Sequence, residues 1–273
     1  MESRRSMRNH NTNTIPMIYR KFDKTIEVIP FGDTHIGSAE CHYKGLEYMV
    51  EYVLAEDNRF VVLTGDLVDN SIKSSKGSIY EATMSPNEQI ATAVNLLRPI
   101  AKANRILCAL DGNHEQRTFR EVDLSPTRII ALELGVVDLW RHDQAFLYLD
   151  LHDGKTPRRG ARRPRYSIGV AHGTGGGTSA GAGINKVKGF ALSMGVDLLI
   201  SGHTHRPAET SLLRYEPAFP AKAMVPKVVK LLIGTGWLTY GGYGAEKMYE
   251  PLPIAPNKAI LTAKEHGVVV VQY

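Results

Sequence analysis

The segment TIEVIPFGDTHIG, residues 25–37, joins an apolar run to a polar end that is flanked by glycines. The run TIEVIPF predicts a buried strand, because short apolar stretches rich in β-branched residues favour strands. Asp33 and His35 are two residues apart, so in an extended segment their side chains point to the same side. The segment therefore predicts a strand that delivers a carboxylate and an imidazole at its carboxyl end.

Four further strands are predicted to end in the same way. RFVVLTGD runs into GDLVD, RILCALDGNH into GNHE, YSIGVAHG into AHG, and VDLLISGH into GHTH. Each match is weak alone, since a Gly-Asp pair after a strand is usually a turn. Open α/β sheets bind ligands beyond the carboxyl ends of their strands, so five such ends together predict one polar site.

Helices are predicted between these strands. They are HYKGLEYMVEYVLAE, SPNEQIATAVNLLRPIAKA with Ser85 as its cap and Pro86 in its first turn, SPTRIIALELG, and the short KVKGFALSMG. After Arg206 the pattern changes to strands alone, in SLLRY, KVVKLLIGTG and GVVVVQY. Alternating strands and helices followed by strands predict an α/β fold with a partly parallel sheet and a second sheet.

Length and composition limit the class of protein. The 273 residues show no internal repeat and no linker, so we expect a single domain over residues 21–273 after a flexible, polar tail at residues 1–20. Cys41 and Cys108 are too few for a disulfide framework and fit a reducing compartment. No apolar run reaches the roughly 18 residues that a membrane span needs. A cytoplasmic protein is therefore expected.

Positive charge is concentrated in one loop. The run GKTPRRGARRPR, residues 154–165, holds six bases and no acid, in a chain whose net charge is +5. Predicted strands flank the run, so we expect a basic hairpin at residues 154–165. One interpretation is a solvated loop that arginine keeps soluble. The other is contact with a phosphate backbone, because arginine matches phosphate oxygens and no acid is present to balance it.

Taken in order, the five strand-end motifs resemble the five-part signature of the calcineurin-like metallophosphoesterase superfamily, over roughly residues 31–205. The resemblance implies two sheets packed as a sandwich and flanked by helices, an α-β-β-α fold. It also implies hydrolysis of phosphate esters by two divalent metal ions, which lower the pKa of water and bind the phosphate oxygens. Such a pair needs a carboxylate that reaches both ions, with oxygen and imidazole ligands around each.

The resemblance also assigns roles to residues. Asp33, His35 and His205 would bind the first metal, and Asn113, His172 and His203 the second, with Asp66 between them. The catalytic residue His114 would face the leaving group and either donate a proton to it or stabilise its charge, and Asp69 would orient His114 through the other ring nitrogen. Manganese is the metal we expect, although iron or zinc would suit the same ligands.

The run HGTGGGTSAGAG, residues 172–183, has almost no large side chains and is not expected to form a helix or a strand. We expect the glycines after His172 to let backbone and substrate come close, with simple flexibility as the alternative. Lys186 and Lys188 follow and could meet a substrate phosphate, although surface lysines are common.

The residues within the motifs narrow the class of substrate that we expect. GNHE also occurs in Ser/Thr protein phosphatases, but their second motif continues into a phosphate-binding arginine where this chain has Asn70. GDTHIG, GDLVD and GHTH are more similar to the double-strand-break repair nucleases and to stand-alone phage-encoded relatives. We therefore expect a DNA or RNA phosphodiesterase, and its candidate substrate-binding residues are Arg117, Arg158, Arg159, Arg162 and Arg163, with Arg120 a weaker candidate.

Other functions stay open at this point. They are a cyclic-nucleotide phosphodiesterase, a phosphomonoesterase including a protein phosphatase, and a catalytically inactive binding scaffold. The intact motifs speak against the scaffold, because inactive members usually lose a ligand or the proton-donating histidine. The aromatic segment at residues 236–251 fits a subunit contact in a homodimer, a cap over the site, or an ordinary mobile loop.

Overall fold

The protein is described by a computed structural model that covers residues 14–73, 75, 79–153, 163–174 and 180–272. Within these residues the strands and α-helices are β1 (Ile18–Phe22), β2 (Ile26–Pro30), α1 (Tyr43–Ala55), β3 (Arg59–Leu63), α2 (Pro86–Lys102), β4 (Ile106–Leu110), α3 (Glu115–Val122), α4 (Pro126–Glu133), β5 (Trp140–Arg141), β6 (Gln144–Leu151), β7 (Arg165–Ala171), α5 (Ala180–Met194), β8 (Leu198–Ser201), β9 (Ala208–Ala218), β10 (Ala223–Ile233), α6 (Gly242–Glu246), β11 (Asn257–Leu261) and β12 (Val268–Gln272).

The strands form two mixed sheets of six. The first sheet has the order β1-β6-β7-β8-β10-β9, and the second has the order β12-β11-β2-β3-β4-β5. In the second sheet β2, β3, β4 and β5 are parallel, while β11 and β12 run antiparallel to their neighbours. In the first sheet β7, β8 and β10 are parallel, and β6 and β9 pair antiparallel at either side. The parallel strands carry the predicted motifs.

The two sheets pack face to face and are covered by helices on their outer faces. In β3, Phe60 and Val62 point into the core between the sheets, while Val61 and Leu63 point to the helices, as strand alternation requires. Helices α1, α2 and α4 cover the second sheet, and α5 covers the first. The α-β-β-α fold predicted from the sequence is therefore confirmed.

Two helix starts follow the predicted capping chemistry. Ser85 caps α2 in a reciprocal pair with Glu88, so that two backbone N–H groups at the start of the helix are bonded. Ser125 caps α4 by accepting from the backbone N–H of Arg128, and Pro126 follows in the first turn. These caps fix where the two helices leave the loops that follow β3 and β4.

The structure corrects three details of the sequence prediction. Strand β1 begins at Ile18, inside the expected tail at residues 1–20, because Ile18 is buried in the core between the sheets. Helix α5 begins at Ala180, so the end of the glycine-rich run is helical, and residues 175–179 lie outside the described part. Strand β11 was not predicted, although it joins β12 to the second sheet.

The basic hairpin is described only at its base. Strands β6 and β7 pair antiparallel up to Asp150 and Arg165, as expected for a hairpin. Residues 154–162, with Arg158, Arg159 and Arg162, lie outside the described residues. Among the helices that the structure describes, none has the length and apolar character needed to cross a membrane.

Candidate metal centre

Three side chains from distant parts of the chain form a first group of possible metal ligands, namely Asp33 and His35 after β2, and His205 after β8. The Nε2 atoms of His35 and His205 are 3.0 Å apart, and Nε2 of His205 is 3.4 Å from Oδ1 of Asp33. Two ring nitrogens and a carboxylate oxygen thus converge on one point, which suits a divalent cation.

A second group forms around Asp66, His172 and His203. Nε2 of His172 lies 3.3 Å from Oδ2 of Asp66 and 3.2 Å from Nδ1 of His203. The amide oxygen of Asn113 completes the group, at 2.9 Å from His172 Nε2 and 2.7 Å from His203 Nδ1. All seven residues proposed as ligands therefore lie in these two groups.

Asp66 stands between the two groups. Its Oδ2 atom lies 3.3 Å from His172 in the second group and 3.8 Å from His35 in the first. The carboxylate is 2% exposed, and its other oxygen accepts a hydrogen bond of 2.8 Å from the backbone N–H of His114. One buried carboxylate oxygen is thus available to both groups.

The backbone around the site is held in an uncommon conformation. Five of the proposed ligands have left-handed φ angles, a state that costs a residue with a side chain about 1–3 kcal/mol; they are Asp33 (50°), His35 (43°), Asp66 (50°), His203 (71°) and His205 (55°). The pairs Asp33/His35 and His203/His205 are therefore not extended, as the sequence had suggested. The two side chains of each pair still face the candidate metal centre, but a left-handed backbone rather than an extended one places them there.

Two glycines allow the carboxylates to approach the backbone. A side chain at Gly112 would begin 2.1 Å from Oδ1 of Asp66, and one at Gly202 would begin 2.3 Å from Oδ2 of Asp33. Both contacts are too short for any Cβ atom. The glycines of the GNHE and GHTH motifs therefore provide the space in which the acidic ligands lie.

Hydrogen bonds fix the orientation of the ligands. The carboxylate of Asp33 accepts from the backbone N–H of His203, at 2.8 and 3.0 Å to its two oxygens. The Nδ1 atom of His172 lies 2.8 Å from the carbonyl oxygen of Thr64 and must donate to it, which leaves Nε2 to face the second group. This second layer of contacts sets which ring nitrogen each ligand presents.

Charges in the site shift its pKa values in opposite directions. Burial, then the charge of His114, lowers the pKa of His35 well below its ordinary value. Burial also lowers the pKa of His203. Burial opposes protonation of His172 as well, but the Asp66 carboxylate outweighs it and raises the pKa of His172 to about 10.

His114 lies beside the two groups, and its Nδ1 atom contacts the backbone of Asp69 rather than the Asp69 carboxylate. Its Nδ1 atom is 2.6 Å from the backbone carbonyl oxygen of Asp69, whereas the Asp69 carboxylate is 3.6 Å away. His35, Asp69 and His114 also make a third group of possible ligand atoms, which shares His35 with the first. Because Nδ1 of His114 is bonded to a carbonyl, Nε2 is the atom left to face the cavity.

Glu115 has a role that the sequence analysis missed. Its buried carboxylate accepts backbone N–H groups from Asp66, Leu67, Val68 and Gly112 at 2.7–3.2 Å. Burial and the nearby Asp66 raise the pKa of Glu115 to about 8, against the effect of these donors. The acid that ends GNHE was the available signal, because the structure uses it to hold the loop that carries Asp66.

Asn70 is likewise part of the support and is 2% exposed. Its side-chain amide donates to the carbonyl oxygen of His114 at 2.6 Å and lies 2.9 Å from the hydroxyl of Thr118. The side chain therefore faces the protein rather than the cavity.

The groups open into a cavity of about 640 Å³. Arg117 lines it and donates to the carbonyl oxygen of Asp69, at 3.3 Å. Another part of its wall comes from residues 236–253. The other described candidates lie elsewhere: Arg163, Lys186 and Lys188 are exposed outside the cavity lining, and Arg120 pairs with Gln116 on α3.

Comparisons with known proteins bear on this site. A sequence model of the calcineurin-like phosphoesterases matches residues 27–207, more than half of the chain. No curated protein gives a significant match.

Some solved structures align with the chain at low similarity. Vacuolar protein sorting 29 from Cryptosporidium parvum is 14% identical, with 92% of this chain and 99% of that one covered and a TM-score of 0.41. The nuclease MPE of Pseudomonas putida is 12% identical, with 89% of this chain and 87% of that one covered and a TM-score of 0.34. GAP50 of Plasmodium is 10% identical, with 92% of this chain and 88% of that one covered and a TM-score of 0.42. Similarities this distant carry no information about activity or partners.

Proposed function

The chain belongs to the calcineurin-like phosphoesterase family, and we propose that it is a two-metal-dependent hydrolase of phosphodiester bonds in nucleic acid. The observation that carries the proposal is the position of Asp66, whose Oδ2 atom lies between two groups of histidines. A carboxylate shared in this way is what a pair of cations about 3.5–4 Å apart requires.

The donor set fits divalent cations. Asp33, His35 and His205 would hold one ion, and Asn113, His172 and His203 the other, with Asp66 binding both. The mixture of imidazole and oxygen donors suits manganese, iron or zinc, and we propose manganese. Bound there, the ions would lower the pKa of water and neutralise charge on the phosphate.

The protein's own groups would complete the chemistry. His114 presents Nε2 to the cavity because Asp69 holds Nδ1. From that position a protonated imidazole can donate to the leaving oxygen as the ester bond breaks. Arg117 lines the same cavity, and its guanidinium would bind a phosphate oxygen of the substrate.

Two features support nucleic acid as the substrate. The motif spelling is similar to that of the repair nucleases, and the basic run at residues 154–165 carries six bases without an acid. A polyanionic backbone would be attracted by such a run in a salt-dependent way. We place Arg158, Arg159, Arg162 and Arg163 in that contact as a proposal from charge alone.

Asn70 disfavours a phosphatase of the Ser/Thr type. In those enzymes an arginine at this position grips the phosphate, whereas Asn70 is buried and bonded to His114 and Thr118. A phosphomonoester carries more negative charge than a diester and benefits more from such an arginine. Diesters are therefore the better match to this cavity.

A side-by-side assay tests the proposal. The metal-free protein would be loaded with Mn²⁺ and given linear duplex DNA, single-stranded DNA, RNA, an aryl phosphodiester and the matching monoester. We expect every diester to be preferred over the monoester, and nucleic acid to be cleaved at low salt. Preference for the monoester would contradict the proposal.

A further inference from the structure

The part of the cavity wall that residues 236–253 form has no role in the chemistry described so far. Most of the side chains that it contributes are apolar or aromatic, namely Leu238, Tyr240, Tyr249, Leu252 and Pro253, together with the polar Thr239 and Glu250. The cavity volume of about 640 Å³ falls within the 300–1,000 Å³ that is usual for pockets of drug-sized ligands, so it has room for more than a phosphate group.

The start of this wall is fixed to the metal centre itself. Gly236 lies against His205 so closely that a Cβ atom on it would meet the imidazole ring at 2.5 Å. The backbone N–H of Trp237 donates to the carbonyl oxygen of Asp33 at 3.0 Å, and that of Thr239 donates to Glu40 at 2.9 Å. The wall is therefore continuous with the ligands of the first group.

The far end of the wall is also tied to the ligand loop. Arg206 follows His205 directly, and its guanidinium pairs with the carboxylate of Glu250 at 3.0 Å. Tyr249 precedes Glu250, and its backbone N–H donates to the carbonyl oxygen of Gly244 at 2.9 Å. Residues 236–253 thus contact proposed ligands at their start, and near their end they contact Arg206, the residue after His205.

Two tyrosines that line the cavity here are partly exposed. Tyr240 is 57% exposed and Tyr249 is 49% exposed, whereas the neighbouring Trp237 is 2% exposed and packs against Phe31 in the core. An aromatic ring at a phosphate site is the chemistry that recognises a nucleobase, because bases stack on such rings at about 1–3 kcal/mol each.

We propose that Tyr240 and Tyr249 form a stacking subsite for the nucleobase next to the scissile phosphate. The inference rests on the proposed function and narrows it to substrates that carry a base. A base inside a duplex is stacked on its neighbours and cannot enter, so single strands and strand ends are the favoured substrates. Stacking tolerates every base, so no sequence preference results. The segment then acts as a wall of the site and not as a subunit contact.

The test compares substrates with and without bases. Tyr240→Ala, Tyr249→Ala and the double variant would be assayed with Mn²⁺ on a dinucleotide and on its abasic analogue. We expect kcat/KM for the dinucleotide to fall roughly tenfold to a hundredfold in the double variant, and that for the abasic diester to change less than about twofold. Tyr240→Phe and Tyr249→Phe keep the ring and should retain activity. Tyr215→Ala is the matched control, since Tyr215 is 59% exposed and does not line the cavity.

A loss of equal size on both substrates, or no loss on the dinucleotide, would overturn the subsite. Wild-type protein should also cleave a single strand faster than the same sequence in a duplex, and the reverse order would count against it. If the wild type cleaves neither diester, the proposed function fails by itself. In that case the subsite is tested by measuring the binding of adenosine monophosphate and of ribose 5-phosphate by calorimetry. If the subsite exists, the Tyr240→Ala and Tyr249→Ala variants bind adenosine monophosphate more weakly and ribose 5-phosphate as well as the wild type does.

Discussion

His114 is the residue whose position separates catalysis from metal binding. Its Nδ1 atom is bonded to the Asp69 carbonyl, so Nε2 can serve a leaving group without serving as a ligand. We expect His114→Ala to lower kcat by about 10²–10⁴ on a small diester, the usual contribution of a proton donor. Manganese content, measured by elemental analysis of the same samples, should stay near that of the wild type. Parallel loss of metal and activity would make His114 a ligand, as part of the group it forms with His35 and Asp69.

Glu115 acts on the site through the backbone. Replacing it with alanine leaves four buried N–H groups without an acceptor, and each such group costs about 1–3 kcal/mol. We expect Glu115→Ala to lower the free energy of unfolding by at least about 2 kcal/mol in denaturant titrations of metal-free protein. Glu115→Gln keeps one side-chain oxygen as an acceptor, so its free energy of unfolding should lie between those of the wild type and the alanine variant. Glu133→Ala, at an exposed position at the end of α4, is the control. Wild-type stability in the alanine variant would show that these bonds are dispensable.

At the scale of residues, the sequence predicts ligand types better than supporting contacts. Acids, amides and imidazoles at strand ends are visible as letters, and the resemblance to the metallophosphoesterases assigns seven of them as metal ligands. The contact from Asp69 to His114 is made by a carbonyl, which every residue has, and the sequence cannot single it out. Glu115 accepts from backbone N–H groups that are equally anonymous in a sequence.

The basic run between β6 and β7 is an element with a predicted electrostatic effect. Changing Arg158, Arg159, Arg162 and Arg163 to glutamine removes up to four phosphate contacts. We expect the slope of log K against log salt for single-stranded DNA to become shallower by up to about 3, while turnover of a small aryl diester is unchanged. A variant that loses four exposed lysines elsewhere, Lys21, Lys44, Lys102 and Lys264, controls for net charge. Equal slopes in the two variants would remove the loop from the interface.

Asp197 links three strands and the C-terminal segment. It lies before β8, accepts from Ser167 on β7 at 2.6 and 2.7 Å, and pairs with Lys227 on β10 and with His266. Burial alone would raise the pKa of Asp197, but the hydrogen bonds of His266 and Ser167 and the charge of Lys227 hold it below its usual value. A folded-state pKa below the unfolded one stabilises the fold above about pH 4, and this stability is lost as the pH falls through the folded value.

Asp197→Asn should therefore unfold at lower denaturant than the wild type at pH 5–6, and the difference should shrink as the pH is lowered below about 4. The pKa of His266 is raised, chiefly by its hydrogen bond to Asp197. The contribution of His266 to the free energy of unfolding is therefore present below about pH 6.5 and is lost as the pH rises through the pKa of the folded state. Urea titrations of metal-free protein across this range measure both. Asp23→Asn, at an exposed carboxylate, is the control. A difference that does not depend on pH would indicate a packing effect.

At the scale of elements, periodicity and capping predicted many of the strands and helices, whereas the edge strand β1 and the interior strand β11 were missed. Strand β1 lies at the edge of the first sheet, and only Ile18 of its five residues is buried, so its sequence resembles a tail. Strand β11 alternates too briefly to be separated from a loop. The start of α5 is rich in glycine and alanine, and its placement depends on packing: Gly183 lies where a Cβ would meet Thr204 at 2.9 Å.

In the whole molecule, the candidate metal centre lies where loops from the two sheets meet. Asp33, His35 and Asp66 follow strands of the second sheet, and His172, His203 and His205 follow strands of the first. The first and second groups of possible ligands each contain members from both sheets. A cation in either group would thus link the sheets at the edge where the strained loops meet.

This arrangement predicts that metal stabilises the entire fold and not just the site. A ligand that binds only folded protein adds about 2.7 kcal/mol at 100 times its Kd, which for a domain of this size corresponds to roughly 5–10 °C in Tm. We expect Mn²⁺ to raise the Tm of metal-free protein by about that much, in one cooperative transition. His172→Ala and His205→Ala each remove one ligand from one group, and each should lose part of the rise. His142→Ala, outside both groups, should keep it. Because each ion would join both sheets, removal of metal should lower the Tm of one unfolding transition. Two separate transitions would contradict the link between the sheets. An equal rise in Tm in every variant would show that the cation binds elsewhere.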